Sequence, residues 1–178
     1  MKINVAQLLK AAVGTTREYE MDAGEAIHLD DELEAVVQGG SVRLDRVNGG
    51  ILARGQATAR CTLSCSRCLE PVAFTAAIGF AEQYAPSVDM ATGRPLPPPD
   101  DDMIFQINHN HLLDISEAVR QHVLAALPIQ PLCRATCAGL CPQCGTNRNL
   151  APCNCTIEEP NLPFAALADL LAARSEES

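Results

Sequence analysis

Aromatic side chains are scarce in this sequence. Of its 178 residues, 3% are aromatic and none is tryptophan, although 47% are hydrophobic. A core of this composition must be built from aliphatic residues and alanine, and so much apolar content excludes a wholly disordered chain. No stretch offers the roughly 20 apolar residues that a membrane-spanning helix needs. Because Met1–Val5 also lacks a charged-then-apolar signal segment, we expect a cytoplasmic protein.

Cysteine, in contrast, is abundant. The chain has nine cysteines and a formal net charge of -9. Since a reducing compartment keeps thiols reduced, these cysteines favour metal binding over disulfides. The acidity argues against sequence-independent nucleic-acid binding by the whole chain, because such binding comes from neutralising many phosphates.

One stretch departs from this acidity. Residues 41–68 contain five arginines and a single aspartate. Arginine is the side chain suited to bidentate contact with phosphate. The simpler interpretation is a solvated sheet face whose charges balance acids elsewhere, and the functional one is a phosphate-facing surface. Composition leaves both open.

A period of two dominates the middle of the chain. Residues 53–63 alternate small or apolar side chains with polar ones, and residues 72–80 alternate again after a short polar segment. This pattern predicts an antiparallel hairpin whose connection is Cys65–Pro71. A turn at 48–50 predicts a further strand at 42–47, and residues 103–107 predict another.

The remaining segments complete an α+β prediction. Residues 86–102 contain five prolines and four aspartates, which predicts an exposed loop. Asp114 followed by Glu117 resembles a capping box that opens the main helix, and a second, short helix is predicted at 163–171. We expect an antiparallel, twisted sheet of five or six strands with one main helix in a core domain at 1–130. A cysteine-rich, metal-stabilised tail follows at 131–178.

Eight of the nine cysteines form four close pairs. The candidate metal ligands are Cys65, Cys68, Cys133, Cys137, Cys141, Cys144, Cys153 and Cys155. Two short pairs can present four thiolates to one zinc ion, and a closed shell of four sulfurs is structural rather than catalytic. Disulfides, a thioredoxin-like redox pair and an iron–sulfur cluster remain open. Cys61 lies on the apolar face of its strand, where we expect a buried thiol.

The order of these motifs resembles a known family. Cys65-Ser-Arg-Cys68-Leu-Glu-Pro follows a long strand, and Cys137-Ala-Gly-Leu-Cys141-Pro-Gln-Cys144-Gly-Thr-Asn, Cys153-Asn-Cys155 and Pro163-Phe-Ala-Ala-Leu come later in the chain. Together they look like the YceD family, called large ribosomal RNA subunit accumulation protein. The resemblance implies a factor for accumulation of 23S ribosomal RNA and for large-subunit assembly, without established catalytic activity.

The resemblance also implies how the cysteines combine. Some members lack the last two pairs but keep counterparts of the first two, which implies one site from Cys65, Cys68, Cys133 and Cys137. The other four cysteines would then form a second, local site. A single tail site, with the first pair left as free thiols, stays open as a rival. The cofactor expectation is one or two structural zinc ions.

Two partner hypotheses follow. In the first, the protein is a non-enzymatic ribosome-assembly factor, and Arg54, Arg60 and Arg67 share the wet face and tip of one hairpin and contact ribosomal RNA precursor. In the second, the protein is a zinc-containing interaction module whose acidic segments at 18–34 and 100–102 bind a basic ribosomal protein rather than RNA. We expect no enzyme, because no nucleophile–base pair, phosphate loop or open metal site is evident. Neither a membrane nor a small-molecule substrate is expected.

Overall fold

The computed structural model describes residues 1–101 and 103–155, so the helix predicted at 163–171 lies outside the described residues. The elements in chain order are β1 (Lys2–Asn4), α1 (Ala6–Lys10), β2 (Thr16–Met21), β3 (Ala26–His28), β4 (Glu34–Val47), β5 (Gly50–Ser64), β6 (Pro71–Pro86), β7 (Phe105–Ile107), β8 (Leu112–Asp114) and α2 (Ser116–Ala126). In the part of the chain that is described, no helix combines the length and apolarity needed to cross a membrane.

The described residues divide into two units. The first contains Met1–Ser66 and Glu70–Cys133. The second contains Arg67–Leu69 and the described residues from Arg134 onward. All of the helices and strands named above belong to the first unit, so the described residues of the second form turns and loops.

Three long antiparallel strands, β4, β5 and β6, form the body of a six-stranded sheet. The order across the sheet is β2-β4-β5-β6-β7, with β3 also paired to β4. The turn predicted at 48–50 joins β4 to β5, where Val47 pairs with Gly50 and Gly49 has a φ of 83°. A positive φ costs glycine little, which explains its use in this two-residue connection. β1 and β8 form a separate two-stranded sheet.

The alternating pattern of the sequence places one face of the sheet in the core. Along β5 the odd-numbered residues from Ile51 to Cys61 are buried, while the even-numbered residues from Arg54 to Ser64 are exposed. The buried face is covered in part by α2, whose buried residues are Ala118, Val119 and Val123. Alanine and aliphatic residues dominate this core, as the scarcity of aromatics predicts.

Three details of the fold differ from the sequence-based expectations, and the first two concern the sheet and the short elements. The sheet is not wholly antiparallel, because β7 pairs with β6 in parallel. The long connection after Pro86 allows this, since a parallel neighbour needs a crossover of a dozen or more residues. Four short elements, α1, β1, β3 and β8, were also not predicted, because three to five residues are too few to display a period.

The capping box predicted for the main helix is wrong. Asp114 is the last residue of β8, where it pairs with Lys2, and the helix begins at Ser116. The Asp114 carboxylate does accept a hydrogen bond from the Ser116 amide at 3.0 Å. Glu117 pairs instead with the guanidinium of Arg120, at 2.7 and 2.8 Å. Three residues of sheet pairing thus outweigh the local capping pattern.

Candidate metal centres and the arginine face

The loop that carries the first cysteine pair is held by backbone hydrogen bonds. The Cys65 amide donates to the Glu70 carbonyl at 2.9 Å, which closes the connection between β5 and β6. The amide and hydroxyl of Ser66 both donate to the Pro131 carbonyl, at 2.8 and 2.7 Å. These bonds bring the loop next to the segment that contains Cys133.

In the second unit, Cys137 is anchored by neighbours from three segments. The Arg67 guanidinium donates to its carbonyl at 3.0 Å. The Asn149 side-chain amide donates to its sulfur at 3.2 Å, and the Asn149 oxygen accepts from the Arg134 guanidinium and the Ala138 amide. These hydrogen bonds therefore orient the Cys137 sulfur, as groups around metal ligands commonly orient those ligands.

The structure brings the first two cysteine pairs together. The sulfurs of Cys65, Cys68, Cys133 and Cys137 all lie within 4.8 Å of one another, and three of the four residues are buried. This group could hold a metal ion. Cys68 and Glu70 are separated by Leu69, whose φ of 62° lies in the left-handed region that reverses the chain.

The last two pairs form a second group. Cys141, Cys144, Cys153 and Cys155 also place their sulfurs within 4.8 Å of one another, so this group too could hold a metal ion. A tight turn builds the first half: the Gly145 amide donates to the Cys141 carbonyl at 2.9 Å, and Gly145 has a φ of 71°. The glycine of the Cys-Pro-Gln-Cys-Gly motif thus supplies the left-handed conformation that the turn requires.

Hydrogen bonds to sulfur divide the second group into two kinds of thiol. Backbone N–H groups of Cys144 and Gln143 lower the pKa of Cys141. The hydroxyl and then the amide of Thr146 lower the pKa of Cys144 to about 6. Neighbouring sulfurs do the opposite to the other pair: Cys141 raises the pKa of Cys153, and Cys144 raises that of Cys155 to about 12.

The pKa values of these four thiols favour the binding of a cation. Hydrogen-bond donors favour the thiolate forms of Cys141 and Cys144, and a bound cation would favour the thiolate forms of the other two as well. Four thiolates leave no open position for water, so the donor set fits a structural ion rather than a catalytic one.

The composition of the second unit supports the same role. Among its described residues the buried apolar side chains are three cysteines, Cys68, Cys137 and Cys141. Leu69 and Leu150 are 65% and 79% exposed. With no aliphatic core in the described part, little hydrophobic burial is available to order these turns, and metal binding would supply the missing free energy.

Cys61 belongs to neither group. It is 4% exposed on the inner face of β5, opposite Phe74. Burial raises the pKa of its thiol. This confirms the buried thiol that its position in the alternating pattern predicts.

The five arginines of residues 41–68 have different surroundings. Arg54 and Arg60 lie on the exposed face of β5. Arg46 instead donates to the backbone carbonyls of Leu9, at 3.2 Å, and Gly50, at 2.8 Å. The number of charges along the chain does not distinguish an arginine that faces solvent from one that binds backbone carbonyls.

Two further observations concern this basic stretch. Arg67, in the connection, donates to the Cys137 carbonyl as described above. Arg43 pairs in register with Arg54 on the exposed face, and both guanidiniums contact the carboxylate of Asp45. Arg43 is not among the RNA contacts predicted from the sequence. The alternating pattern of β4, which puts Val42 and Leu44 in the core, could have identified it.

Acidic side chains gather on another part of the first unit. They belong largely to the loop between β3 and β4 and to the start of β4. One cavity is lined by His28, Asp30, Asp31, Glu32, Glu34 and Arg60, among others. This surface includes much of the acidic segment 18–34, which is predicted from the sequence to bind a basic partner.

Comparison with known families identifies the chain's relatives. The sequence model of the family described as large ribosomal RNA subunit accumulation protein YceD matches residues 53–171. This chain belongs to the YceD family. The matched range begins in β5 and includes the four cysteine pairs, whereas β1 to β4 precede it.

The curated relatives of this YceD-family chain are mycobacterial proteins described as uncharacterized. Those of Mycobacterium tuberculosis and Mycobacterium bovis are 30% identical over 149 residues, which is 82% of this chain and 69% of theirs. One from Mycobacterium leprae is 26% identical over 141 residues, 74% of this chain and 58% of its own length. No solved structure matches the chain.

Proposed function

We propose that this protein is a non-enzymatic ribosome biogenesis factor, required for accumulation of 23S ribosomal RNA and thus for large-subunit assembly. The observation that carries the proposal is membership of a family described by large ribosomal RNA subunit accumulation. The arrangement of the cysteines supports the non-enzymatic part, because two four-sulfur groups, each closed on an ion, would hold structure and leave no position for substrate.

The cofactor in this proposal is zinc, two ions per chain. Four cysteine sulfurs at short mutual distances form the donor set of a structural zinc site. When bound, each ion would supply cross-linking of chain segments rather than chemistry. Thiolate ligands also suit a reducing compartment, which is why we place the protein in the cytoplasm.

The proposed RNA contacts are Arg54, Arg60 and Arg67. Arg54 and Arg60 extend from the exposed face of β5, six residues apart, and no described residue forms an ion pair with Arg60. Arg67 retains N–H groups beyond the one that donates to Cys137. Confining RNA contact to this stretch reconciles it with the net charge of -9.

The proposal is tested by depleting the protein in its own cells and measuring the ratio of 23S to 16S ribosomal RNA. Depletion should lower the ratio, and the wild-type chain should restore it. The triple variant Arg54→Glu, Arg60→Glu, Arg67→Glu should fail to restore it while accumulating normally. An unchanged ratio after depletion contradicts the function, and full rescue by the triple variant contradicts the RNA contacts.

The second candidate is a zinc-containing module that binds a basic ribosomal protein. The acidic cavity at the loop between β3 and β4 favours it, because basic segments of a partner would be attracted there. Co-purification of a ribosomal protein that survives nuclease but is lost at high salt would select this function. The variant Asp30→Asn, Asp31→Asn, Glu32→Gln should then lose the partner, and the triple arginine variant should retain it.

A further inference from the structure

A carboxylate organises two arginines on the exposed face of the sheet. Asp45 Oδ1 accepts from the Thr16 hydroxyl at 2.7 Å and from Arg43 Nε at 3.0 Å. Its second oxygen, Oδ2, accepts from Arg54 Nη1 at 2.8 Å. The Thr16 and Arg43 hydrogen bonds lower the pKa of Asp45, so this carboxylate is ionised at neutral pH.

The exposure of the three side chains differs in an informative way. Asp45 is 13% exposed, whereas Arg43 and Arg54 are 52% and 56% exposed. The acid is therefore shielded beneath its partners, and the guanidiniums face solvent. Each guanidinium has five N–H donors. Most of these remain without a partner among the described residues, because Arg54 uses one and Arg43 uses two.

The two arginines line an open cavity. Its other lining residues include Ser41, Gln56, Gly79 and Ala81, together with Glu18, Glu82 and His122. Gly79 pairs with Gln56 and Ala81 pairs with Arg54, so small residues of β6 lie beside the arginine row. A Cβ at Gly79 would find its nearest atom 3.9 Å away, which confirms the open space.

We propose that Arg43 and Arg54, oriented by Asp45, form a seat for one phosphodiester group of RNA. The two guanidinium groups, held in register by one carboxylate, present N–H donors that match the oxygens of a phosphate. Arg43, Arg54 and Asp45 together keep a net charge of +1. Glu18 and Glu82 both line this cavity, and their carboxylates would repel a second phosphate, which limits the seat to one. The inference rests on the proposed function and adds its contact chemistry.

The role of Asp45 separates this proposal from simple charge attraction. If only charge mattered, Asp45→Asn would tighten RNA binding, since it removes a negative charge. In the proposed seat Asp45 is a positioning residue, so the same change frees both arginines and weakens binding. Thr16→Val is a second route to the same end, because it removes an anchor of Asp45 without changing any charge.

The test uses the full-length metal-loaded protein and a labelled single-stranded 20-nucleotide oligouridylate, with binding followed by fluorescence anisotropy across a salt series. Arg43→Gln and Arg54→Gln should each weaken binding about 10-fold, as expected for loss of a charge-assisted contact. The double variant should reduce the slope of log K against log salt by about 0.7, the value for one phosphate of a single strand. Arg94→Gln, which removes an exposed arginine elsewhere, is the matched control and should bind like wild type.

Asp45→Asn and Thr16→Val should each weaken binding, with circular dichroism spectra like that of the wild type. The proposed seat is refuted if Asp45→Asn binds RNA more tightly, if Arg94→Gln weakens binding equally, or if the wild type does not bind the probe. Stronger competition by oligoglutamate than by RNA would also overturn it, in favour of an acidic peptide. The two proposals fail separately: a normal 23S to 16S ratio after depletion refutes only the function, and wild-type binding by the arginine variants refutes only the seat.

Discussion

Removing one pair of cysteines should remove one of two metal ions. Zinc with four sulfurs at about 2.3 Å sets sulfur–sulfur distances of about 3.8 Å. In each group the sulfurs already lie within 4.8 Å, so binding asks them to close by no more than about 1 Å. Wild-type protein purified without added metal should therefore contain two zinc ions per chain, and Cys153→Ser, Cys155→Ser should contain one.

The loss should be local to the second unit. Apparent binding free energies of structural zinc sites are about 10–16 kcal/mol, far more than the few exposed turns around Gly145 can supply by packing. In the double variant the amides of Cys141 and Gly145, whose hydrogen bonds close the turn, should lose protection from hydrogen exchange. Amides of β5 should remain protected, because their sheet lies in the other unit.

The assay combines elemental analysis with native mass spectrometry and hydrogen exchange. Cys61→Ala is the control, since that thiol is buried in the core and should leave the metal content at two. A wild-type content of one ion that Cys65→Ser, Cys68→Ser does not change supports a single tail site and refutes the two-group reasoning. A metal-free wild-type chain refutes both.

Four other substitutions test the fold and its electrostatics. In a urea titration, Gly50→Ala should destabilise the protein by about 3 kcal/mol or more, because its Cβ would lie 1.9 Å from the Tyr84 carbonyl oxygen. Gly79→Ala, whose Cβ would lie in open space, should stabilise the protein by up to about 1 kcal/mol in the same titration. Leu69→Gly should leave the stability unchanged or raise it slightly. Relief of the positive φ of Leu69, worth about 1–2 kcal/mol, offsets the greater chain entropy that glycine gives the unfolded state. A loss of stability of more than about 1 kcal/mol contradicts this. Because the pKa of Asp45 is lowered below 3.8 in the folded state, its contribution to stability is present above that value and declines as pH falls through it. Acid titration of Asp45→Asn should thus show a smaller decline than wild type, and an equal decline refutes the assignment.

Local periodicity made the central hairpin predictable. The alternation at 53–63 and 72–80 corresponds to β5 and β6, and the turn residues before Gly50 lie between β4 and β5. These features depend on spacings of two along the chain and on the backbone freedom of glycine, which a sequence displays directly. The short pairs of cysteines are visible for the same reason.

The sequence by itself determined a sheet of aliphatic and alanine-rich strands, four local cysteine pairs and a family. Only the tertiary structure decided which pairs meet, because Cys65 and Cys133 are 68 residues apart and the path between them is set by β6 and α2. It also separated Arg46, which serves backbone carbonyls, from Arg43, which shares Asp45 with Arg54. Charge along a chain does not reveal such partners, since they depend on the register between strands.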